Sequence, residues 1–356
     1  MTINTITTNS ISFVALLFAS SLAAVILLAG CNSEPGTFEV DGFPFAIQSQ
    51  KVETRIWRDL ELELILVLDA DVDLQRPREA FDDEDGNVFT IDNGDFRVKK
   101  FDADGRLVQV YGDGREGPVG ELESPRALSL SPEGDVWVAD KKKLLILKET
   151  GQWLRSISFD HTLYRIEHIP DGRYYVYFGG NNLGSLQEGM FYLYDDDEQV
   201  VRFGATDLDL TTAAGGIEVV DNDLLYNPAR FEFFVRYNEE GNIIYARETI
   251  EQAPASVIEE KGRNSLFHMP MLKSSIGHYE GYIYVDAWLL SDIKGTVVID
   301  VYRASDGSYE YSFELPERHG ISMGMTIGRR KLYALRDNAI AIYSLPSTGI
   351  PSPPGE

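Results

Sequence analysis

The chain has 356 residues, of which 44% are hydrophobic and 25% charged, a composition typical of a globular protein with a sizeable core. Its formal net charge is −25, because 57 acidic residues outnumber 32 basic ones. A surface this acidic repels nucleic acid and anionic lipid headgroups, so neither is expected as a direct partner. The single cysteine excludes a disulfide bond within the chain.

The N-terminal run Ile11–Gly30 is uncharged and apolar, as in a secretory signal peptide. It ends in Leu28-Ala29-Gly30-Cys31, which resembles the lipobox of bacterial lipoproteins. The resemblance predicts a signal peptide over residues 1–30, lipidation of Cys31, and a lipidated N-terminus and tether over 31–50. Asn32, where Asp would retain the protein at the inner membrane, favours the outer membrane. No Lys or Arg precedes the apolar run, so an uncleaved membrane anchor is the alternative.

Short β-type runs broken by Gly, Asp, Asn and Pro begin at about Val52, which favours an all-β architecture. Two segments, Asp85–Val108 and Glu133–Leu154, can be aligned with each other. Each consists of a turn, an alternating strand that ends in Asp, a second strand, an acidic-Gly turn and a third strand. Related turns recur at intervals of roughly 40–60 residues, at Gly86, Gly134, Gly172, Asn222, Gly281 and Arg330.

These segments resemble NHL repeats and the related six-bladed propellers of exported bacterial proteins, and Trp137-Val138-Ala139-Asp140 matches best. The resemblance implies an all-β fold, a six-bladed β-propeller of four-stranded blades over residues 51–345. We predict that the N-terminal strand Leu60–Leu68 joins the last blade and closes the ring. The alternatives are a seven-bladed ring that uses residues 38–58, or two smaller β-domains. Residues 346–356 are predicted to form a flexible Pro-rich tail.

Three arginines are candidate ligand-binding residues at the channel mouth, where the innermost strands of propellers begin. Arg78 and Arg126 each precede a turn glycine by eight residues, and Arg165 precedes one by seven. Equivalent positions in adjacent blades would direct three guanidinium groups to one mouth, an arrangement suited to carboxylate or phosphate. The alternative is that each arginine pairs with a nearby acid, such as Asp92, Asp140 or Glu167.

His168 lies on the predicted innermost strand of the third unit and is also a candidate for the channel mouth. The acids that end strands are interpreted as turn caps; they are Asp92, Asp140 and Asp286. No metal site is predicted, but Ca²⁺ or Zn²⁺ in the channel is kept as an alternative. The run Gly112–Gly117 spells a dinucleotide-binding fingerprint, yet Pro118 follows it instead of a helix, which favours a propeller loop.

The absence of a recognisable catalytic set in the sequence favours a binding role over an enzyme. We expect a monomeric, membrane-anchored scaffold of the bacterial envelope that binds a peptide, protein or small ligand on the channel face. The alternatives are a metal-dependent lyase or lactonase of the six-bladed propeller type, and a structural module of an envelope complex. Gln252–Asn264, which includes the clearest helical period, is interpreted as a lid, a docking element or an idle loop. Phe231–Phe234 is either a partner-binding cluster or a buried strand.

Overall fold

A computed structural model describes most of the chain after the leader. The described residues are 36–50, 54–112, 122–179, 189–205, 214–229, 231–250, 275–287, 290–291, 294–315 and 324–346. Cys31, the glycine-rich run after Gly112, the segment Gln252–Asn264 and the tail beyond residue 346 lie outside them. The chain divides into compact units Met1–Thr37 and Phe38–Glu356, and the fold below is that of the second. Among the described residues, no helix has the length and apolarity needed to cross a membrane.

The first half of the chain contributes three N-terminal strands and two complete blades. Strands β1–β3 span Thr37–Glu39, Ala46–Gln48 and Leu64–Leu68. A short 3₁₀ helix, Ala70–Val72, follows them. Blade 1 contains β4–β7, which span Pro77–Asp82, Val88–Asp92, Arg97–Phe101 and Leu107–Tyr111. Blade 2 contains β8–β11, which span Pro125–Leu130, Val136–Asp140, Lys143–Leu147 and Trp153–Ser158.

Four more blades complete the ring. Blade 3 contains β12–β15, which span Thr162–His168, Tyr174–Gly179, Phe191–Asp195 and Glu198–Phe203. Blade 4 contains β16–β19, which span Gly215–Val220, Asp223–Pro228, Phe233–Tyr237 and Ile243–Glu248. Blade 5 contains β20–β23, which span Ile276–Tyr279, Tyr282–Asp286, Val298–Arg303 and Tyr309–Glu314. Blade 6 contains β24–β26, which span Gly324–Ile327, Lys331–Leu335 and Ile340–Ser344, together with β3.

The six sheets form a closed ring around a central channel. Within each blade, neighbouring strands pair antiparallel in chain order, so the first strand of the blade is innermost. Each first strand contacts the first strand of the next blade, in the order β4, β8, β12, β16, β20, β24 and back to β4. The predicted six-bladed propeller of four-stranded blades is therefore confirmed.

The packing between blades explains why the middle strands are almost continuously apolar. All five residues of Val88–Asp92 and of Val136–Asp140 are buried. A strand packed on both faces needs apolar side chains at successive positions instead of alternate ones. Phe89 of blade 1 and Val138 of blade 2 belong to one such cluster between blades. The turn before the second strand requires a left-handed backbone, which Gly86 adopts at φ +81° without the steric penalty of a side chain.

The N-terminal strand closes the ring as predicted. Strand β3 pairs antiparallel with β26, with Leu68 opposite Ile340 and Leu66 opposite Ile342. The strand begins at Leu64, four residues later than the alternating pattern suggested, although Leu62 is still buried in the adjoining core. Because the first and last segments of the chain share one sheet, β26 is not left as an edge strand, and the ring cannot open without separating β3 from β26.

The described residues before β3 add to existing blades and form no seventh blade. Strand β2 pairs in parallel with β19 through Gln48 and Arg247, and β1 lies beyond it, so the sheet of blade 4 has six strands. The predicted tether, residues 31–50, includes two strands in its part from Thr37 onward. Trp57 then forms a parallel bridge with Ser312 of blade 5. We call the described residues 38–50 and 54–68 the N-terminal strap.

The aromatic cluster Phe231–Phe234 is covered by the N-terminal strap. The ring of Phe43 lies edge-on to Phe231 and Phe233, with centroids 5.3 and 4.9 Å apart. Phe233 and Phe234 are almost completely buried. Of the two interpretations of this cluster, the structure supports the buried strand.

Candidate functional site

Two buried carboxylates hold the backbone just before the first strands of blades 1 and 2. Asp92 accepts hydrogen bonds from the backbone N–H groups of Gln75 and Arg76 at 2.9 and 2.8 Å. Asp140 does the same for Glu123 and Ser124 at 2.8 and 2.6 Å. Each acid ends the second strand of its blade and holds the segment that leads into the first. These acids therefore fix the start of the innermost strand, as well as the following turn at Asp92.

Arg78 and Arg126 occupy equivalent positions, shortly after the segments whose backbone these two acids bind. Each is the second residue of its strand, directly after a proline. The Nε group of Arg78 donates a hydrogen bond to the carbonyl oxygen of Arg126 at 3.1 Å. The guanidinium of Arg126 lies 4.8 Å from the centroid of the Tyr164 ring, a cation–π geometry that orients it. Two neighbouring blades thus place two guanidinium groups side by side.

The two arginines lack an acidic partner in the part of the chain that the structure describes. No described carboxylate lies within ion-pair distance of Arg78 or Arg126, and the buried Nε of Arg126 has no hydrogen-bond partner there. The side chain of Arg78 is exposed at the mouth of the channel, and protein atoms surround its other sides. Burial, and then the charge of Arg165, lower the pKa of Arg78 to about 10. A bound anion would relieve this repulsion between cations.

Arg165 lies deeper in the channel than the other two and forms an ion pair with Glu79. Its spacing of seven residues before the turn, in place of eight, accounts for the difference in depth. Glu79 also accepts the backbone N–H of Leu128 at 2.8 Å. One carboxylate therefore links blades 1, 2 and 3. The structure brings all three predicted arginines together, but only one pairs with an acid, and that acid is none of those considered from the sequence.

Three glutamates, which we call the channel carboxyls, gather beneath the arginines. They are Glu79, Glu167 and Glu218, from the first strands of blades 1, 3 and 4. Burial, and then the charge of Glu218, raise the pKa of Glu167 well above its ordinary value. Burial also raises the pKa of Glu218 to about 8, with a further contribution from Glu79. Both shifts favour the protonated form of the carboxyl group.

Sequence reasoning did not assign a role to two of the channel carboxyls. Glu79 could have been found, because it follows Arg78 directly and lies on the same predicted strand. Glu218 had no such signal, because blade 4 matches the repeat pattern poorly.

A cavity of about 630 Å³ reaches the channel carboxyls from the opposite end of the first strands. Its rim is formed by the turns that follow those strands, including Asp83, Glu84 and Glu133. The mouth with Arg78 and Arg126 and this cavity thus lie at the two ends of the channel. The first end carries unpaired positive charge, and the second is predominantly acidic.

His168 lies in the wall of this cavity and not beside the three arginines. Its Nδ1 atom is 2.9 Å from the Ser129 hydroxyl oxygen, and its ring is edge-on to Trp137 with centroids 4.7 Å apart. Burial lowers the pKa of His168 to about 4, so the imidazole is neutral at pH 7. Its position is explained by packing between blades 2 and 3. Within the described ranges, no group of three or more His, Cys, Asp or Glu side chains is arranged to hold a metal ion.

Comparisons with known proteins identify the fold. No protein-family profile and no curated protein matches the sequence. Among solved structures, a Bacteroides fragilis protein provisionally described as exported has a TM-score of 0.57 at 12% identity, over 83% of this chain and 97% of that chain. A member of the DUF4221 family from Bacteroides vulgatus has a TM-score of 0.50 at 12% identity, over 80% and 98%. Virginiamycin B lyase from Staphylococcus aureus has a TM-score of 0.50 at 15% identity, over 80% and 100%. At these identities the similarity establishes the β-propeller fold alone.

Proposed function

We propose that the protein is a membrane-anchored lipoprotein of the bacterial envelope that serves as a binding scaffold. Its ligand is a peptide, protein or small molecule that presents an anionic group to Arg78 and Arg126. The observation that carries this proposal is the pair of adjacent guanidinium groups without a described acidic partner, in a protein whose net charge is −25. Guanidinium groups of this kind bind carboxylate, sulfate or phosphate through charge-assisted hydrogen bonds.

The surroundings of the two arginines support binding more than a structural role. Arg126 is oriented by Tyr164, and the backbone around both arginines is fixed by Asp92 and Asp140. A site whose donors are already held in place loses less entropy when a ligand binds. The lyase alternative gains no supporting observation, because the similarity to the staphylococcal lyase extends to the fold alone.

The anion site can be tested with sulfate and acetate, whose charges are constant above pH 6. We expect titration calorimetry of the purified protein at pH 6 to detect binding that is at least tenfold weaker in the double variant Arg78→Ala/Arg126→Ala, since each charge-assisted hydrogen bond contributes about 1.5–3 kcal/mol. Arg106→Ala is the matched control, because Arg106 is an exposed turn residue paired with Asp104. Equal affinity in the wild type and the double variant would contradict the proposal.

The membrane anchor is tested separately at Cys31. We expect the protein expressed in a bacterial host to fractionate with membranes and to show the mass of a diacylglyceryl adduct at the new N-terminus. Cys31→Ala should abolish both, whereas Ser33→Ala should change neither. Membrane association that persists in Cys31→Ala, without the adduct, would instead support the uncleaved anchor.

A further inference from the structure

Arg78 and Arg126 present the ends of their guanidinium groups to a ligand at the mouth. The Nε–H group of Arg78 already donates to the carbonyl oxygen of Arg126, at 3.1 Å. The Nε atom of Arg126 is buried, so a ligand at the mouth does not reach it. A guanidinium group has one N–H at Nε and four on its two terminal nitrogens. The terminal N–H groups of both arginines are therefore the donors that remain for a ligand.

A series of contacts holds these two guanidinium groups next to each other. The fully buried Tyr177 lies beside Tyr164, with ring centroids 5.9 Å apart. The Tyr164 ring in turn supports the guanidinium of Arg126 at 4.8 Å. The backbone carbonyl of Arg126 then holds Arg78. A proline directly before each arginine restricts the backbone at the same point. The two groups are therefore adjacent before any ligand binds.

The charged groups around the two arginines leave their positive charges uncompensated within the described residues. The acids that hold or flank the first strands of blades 1 and 2 each have a basic partner. These ion pairs are Glu79–Arg165, Asp92–Lys99, Glu123–Lys141 and Asp140–Lys143. Glu167 and Glu218 lie further along their strands and line the cavity at the other end of the channel. A ligand that neutralises Arg78 and Arg126 together must therefore carry two negative charges.

The geometry points to a phosphate monoester, bound by the ends of both guanidinium groups, as the class of ligand at the mouth. This inference rests on the proposed function and names its ligand more closely. A carboxylate has one charge and two oxygens, which one guanidinium end satisfies, so the second arginine would stay uncompensated. A phosphate monoester carries about two negative charges above pH 7 and has three terminal oxygens. Its tetrahedral shape lets two oxygens meet one guanidinium end while the third meets the other.

The experiment compares three probes by titration calorimetry of the purified full-length protein at pH 8. Methyl phosphate is a tetrahedral dianion at this pH. Methyl sulfate has the same shape with a single charge, and malonate carries two charges on planar carboxylates. We expect methyl phosphate to bind about tenfold or more tightly than either of the other two, because it alone matches both the charge and the shape of the site.

Single variants test whether both arginines bind the same group. In Arg78→Gln and in Arg126→Gln the affinity for methyl phosphate should fall about tenfold or more. Arg106→Gln is the matched control, because Arg106 is an exposed turn residue paired with Asp104, and should bind like the wild type. Tyr164→Leu removes the ring that positions Arg126 and should weaken binding about two- to fivefold, whereas Tyr164→Phe keeps the ring and the affinity. Thermal unfolding verifies that each variant is folded.

Each result has a distinct meaning. Equal affinity for methyl phosphate and either methyl sulfate or malonate would overturn the phosphate assignment while leaving the anion site intact. A loss in one arginine variant with none in the other would also overturn it, because one guanidinium would then bind alone. If none of the three probes binds, the proposed function and this inference fail together. Phosphoserine and glycerol 3-phosphate, compared in the same way, distinguish a phosphorylated peptide from a small phosphorylated molecule as the source of the group.

Discussion

Blades 1–3 and blades 4–6 differ in what lies against their outer edges. The N-terminal strap adds two strands to blade 4, forms a bridge to blade 5 and supplies the fourth strand of blade 6. In the described part of the chain, no strand lies beyond β7, β11 or β15 of blades 1–3. The channel charges show the opposite distribution, because Arg78, Glu79, Arg126, Arg165 and Glu167 all come from the uncovered blades. The contacts of the strap and most of the candidate site thus lie in different halves of the ring.

Blades 4–6, the covered half of the ring, depend on the strap for more than apolar packing. Asp300 of blade 5 is 1% exposed, and Arg55 of the strap contacts it through two hydrogen bonds of 3.2 and 2.8 Å. The Ser312 hydroxyl donates a third at 2.6 Å. Burial raises the pKa of Asp300, although Arg55 opposes the shift. A buried carboxylate in one blade is therefore compensated by a residue far away in sequence.

The largest effect should follow from removing that compensation. Arg55→Ala leaves Asp300 buried without its guanidinium partner and should lower the free energy of unfolding by about 3–5 kcal/mol. Arg58→Ala is the matched control, because Arg58 lies 4.3 Å from the ring centroid of Tyr311 and loses only a cation–π contact worth about 0.5–1 kcal/mol. Urea unfolding at pH 7 measures both. Equal losses would mean that the strap stabilises blade 5 by packing alone.

Ring closure should be the next most sensitive feature. Leu68 of β3 is completely buried in blade 6, whereas its neighbour Val67 is 41% exposed. Leu68→Ala creates a cavity in the closing sheet and should cost about 2–5 kcal/mol, while Val67→Ala should cost well under 1 kcal/mol. The two variants compare the buried face of β3 with its exposed face. A similar melting temperature for both variants would show that β3 contributes little to closure.

The repeat pattern predicted the uncovered half better than the covered half. Turn glycines such as Gly86 and Gly134 and the strand-end acids recur there at equivalent positions, so the blades and the two mouth arginines could be located from sequence. Closure by β3 was also predictable. The sequence contained one alternating strand that belonged to no blade, and the last blade lacked its outermost strand. The strand-end acids, interpreted as turn caps, were assigned only part of their role, since Asp92 also holds the segment before β4.

The contacts that the sequence did not reveal join segments far apart in the chain. Arg55 and Asp300 are 245 residues apart, and no local pattern connects them. The pairing of Arg165 with Glu79 depends on a difference of one residue in spacing, which changes the depth of the side chain in the channel. Convergence of Glu167 and Glu218 depends on how adjacent blades meet at the axis. Such contacts follow from the closed ring and not from the repeat.

A smaller effect is expected in the uncovered half at Asp92. Burial disfavours its ionised form, but hydrogen bonds from Lys99 and from three backbone N–H groups outweigh burial and lower its pKa. The stability that Asp92 contributes is therefore present above the pKa of the unfolded chain and is lost as the pH falls through the lower folded value. Asp92→Asn should cost about 2 kcal/mol at pH 7 and less at pH 3.

Asp104→Asn is the matched control for Asp92, because Asp104 occupies an exposed turn of the same blade. Urea unfolding of both variants at pH 7 and pH 3 separates the two cases. A loss for Asp92→Asn that is the same at both pH values would mean that the side chain acts through its shape and not through its charge.

The only stabilising effect should come from Glu218, which is the covered half's contribution to the channel charges. Its pKa is raised to about 8 in the folded protein, so the folded state binds more protons than the unfolded chain between about pH 4.5 and pH 8. Wild-type stability should therefore fall as the pH rises through this range. Glu218→Gln removes that fall and should be more stable than the wild type by up to about 5 kcal/mol at pH 9, since each pKa unit between 4.5 and 8 corresponds to about 1.4 kcal/mol, with little difference at pH 5. Melting temperatures at the two pH values measure this, and a variant that is less stable at pH 9 would show that ionised Glu218 is held by favourable contacts in the channel.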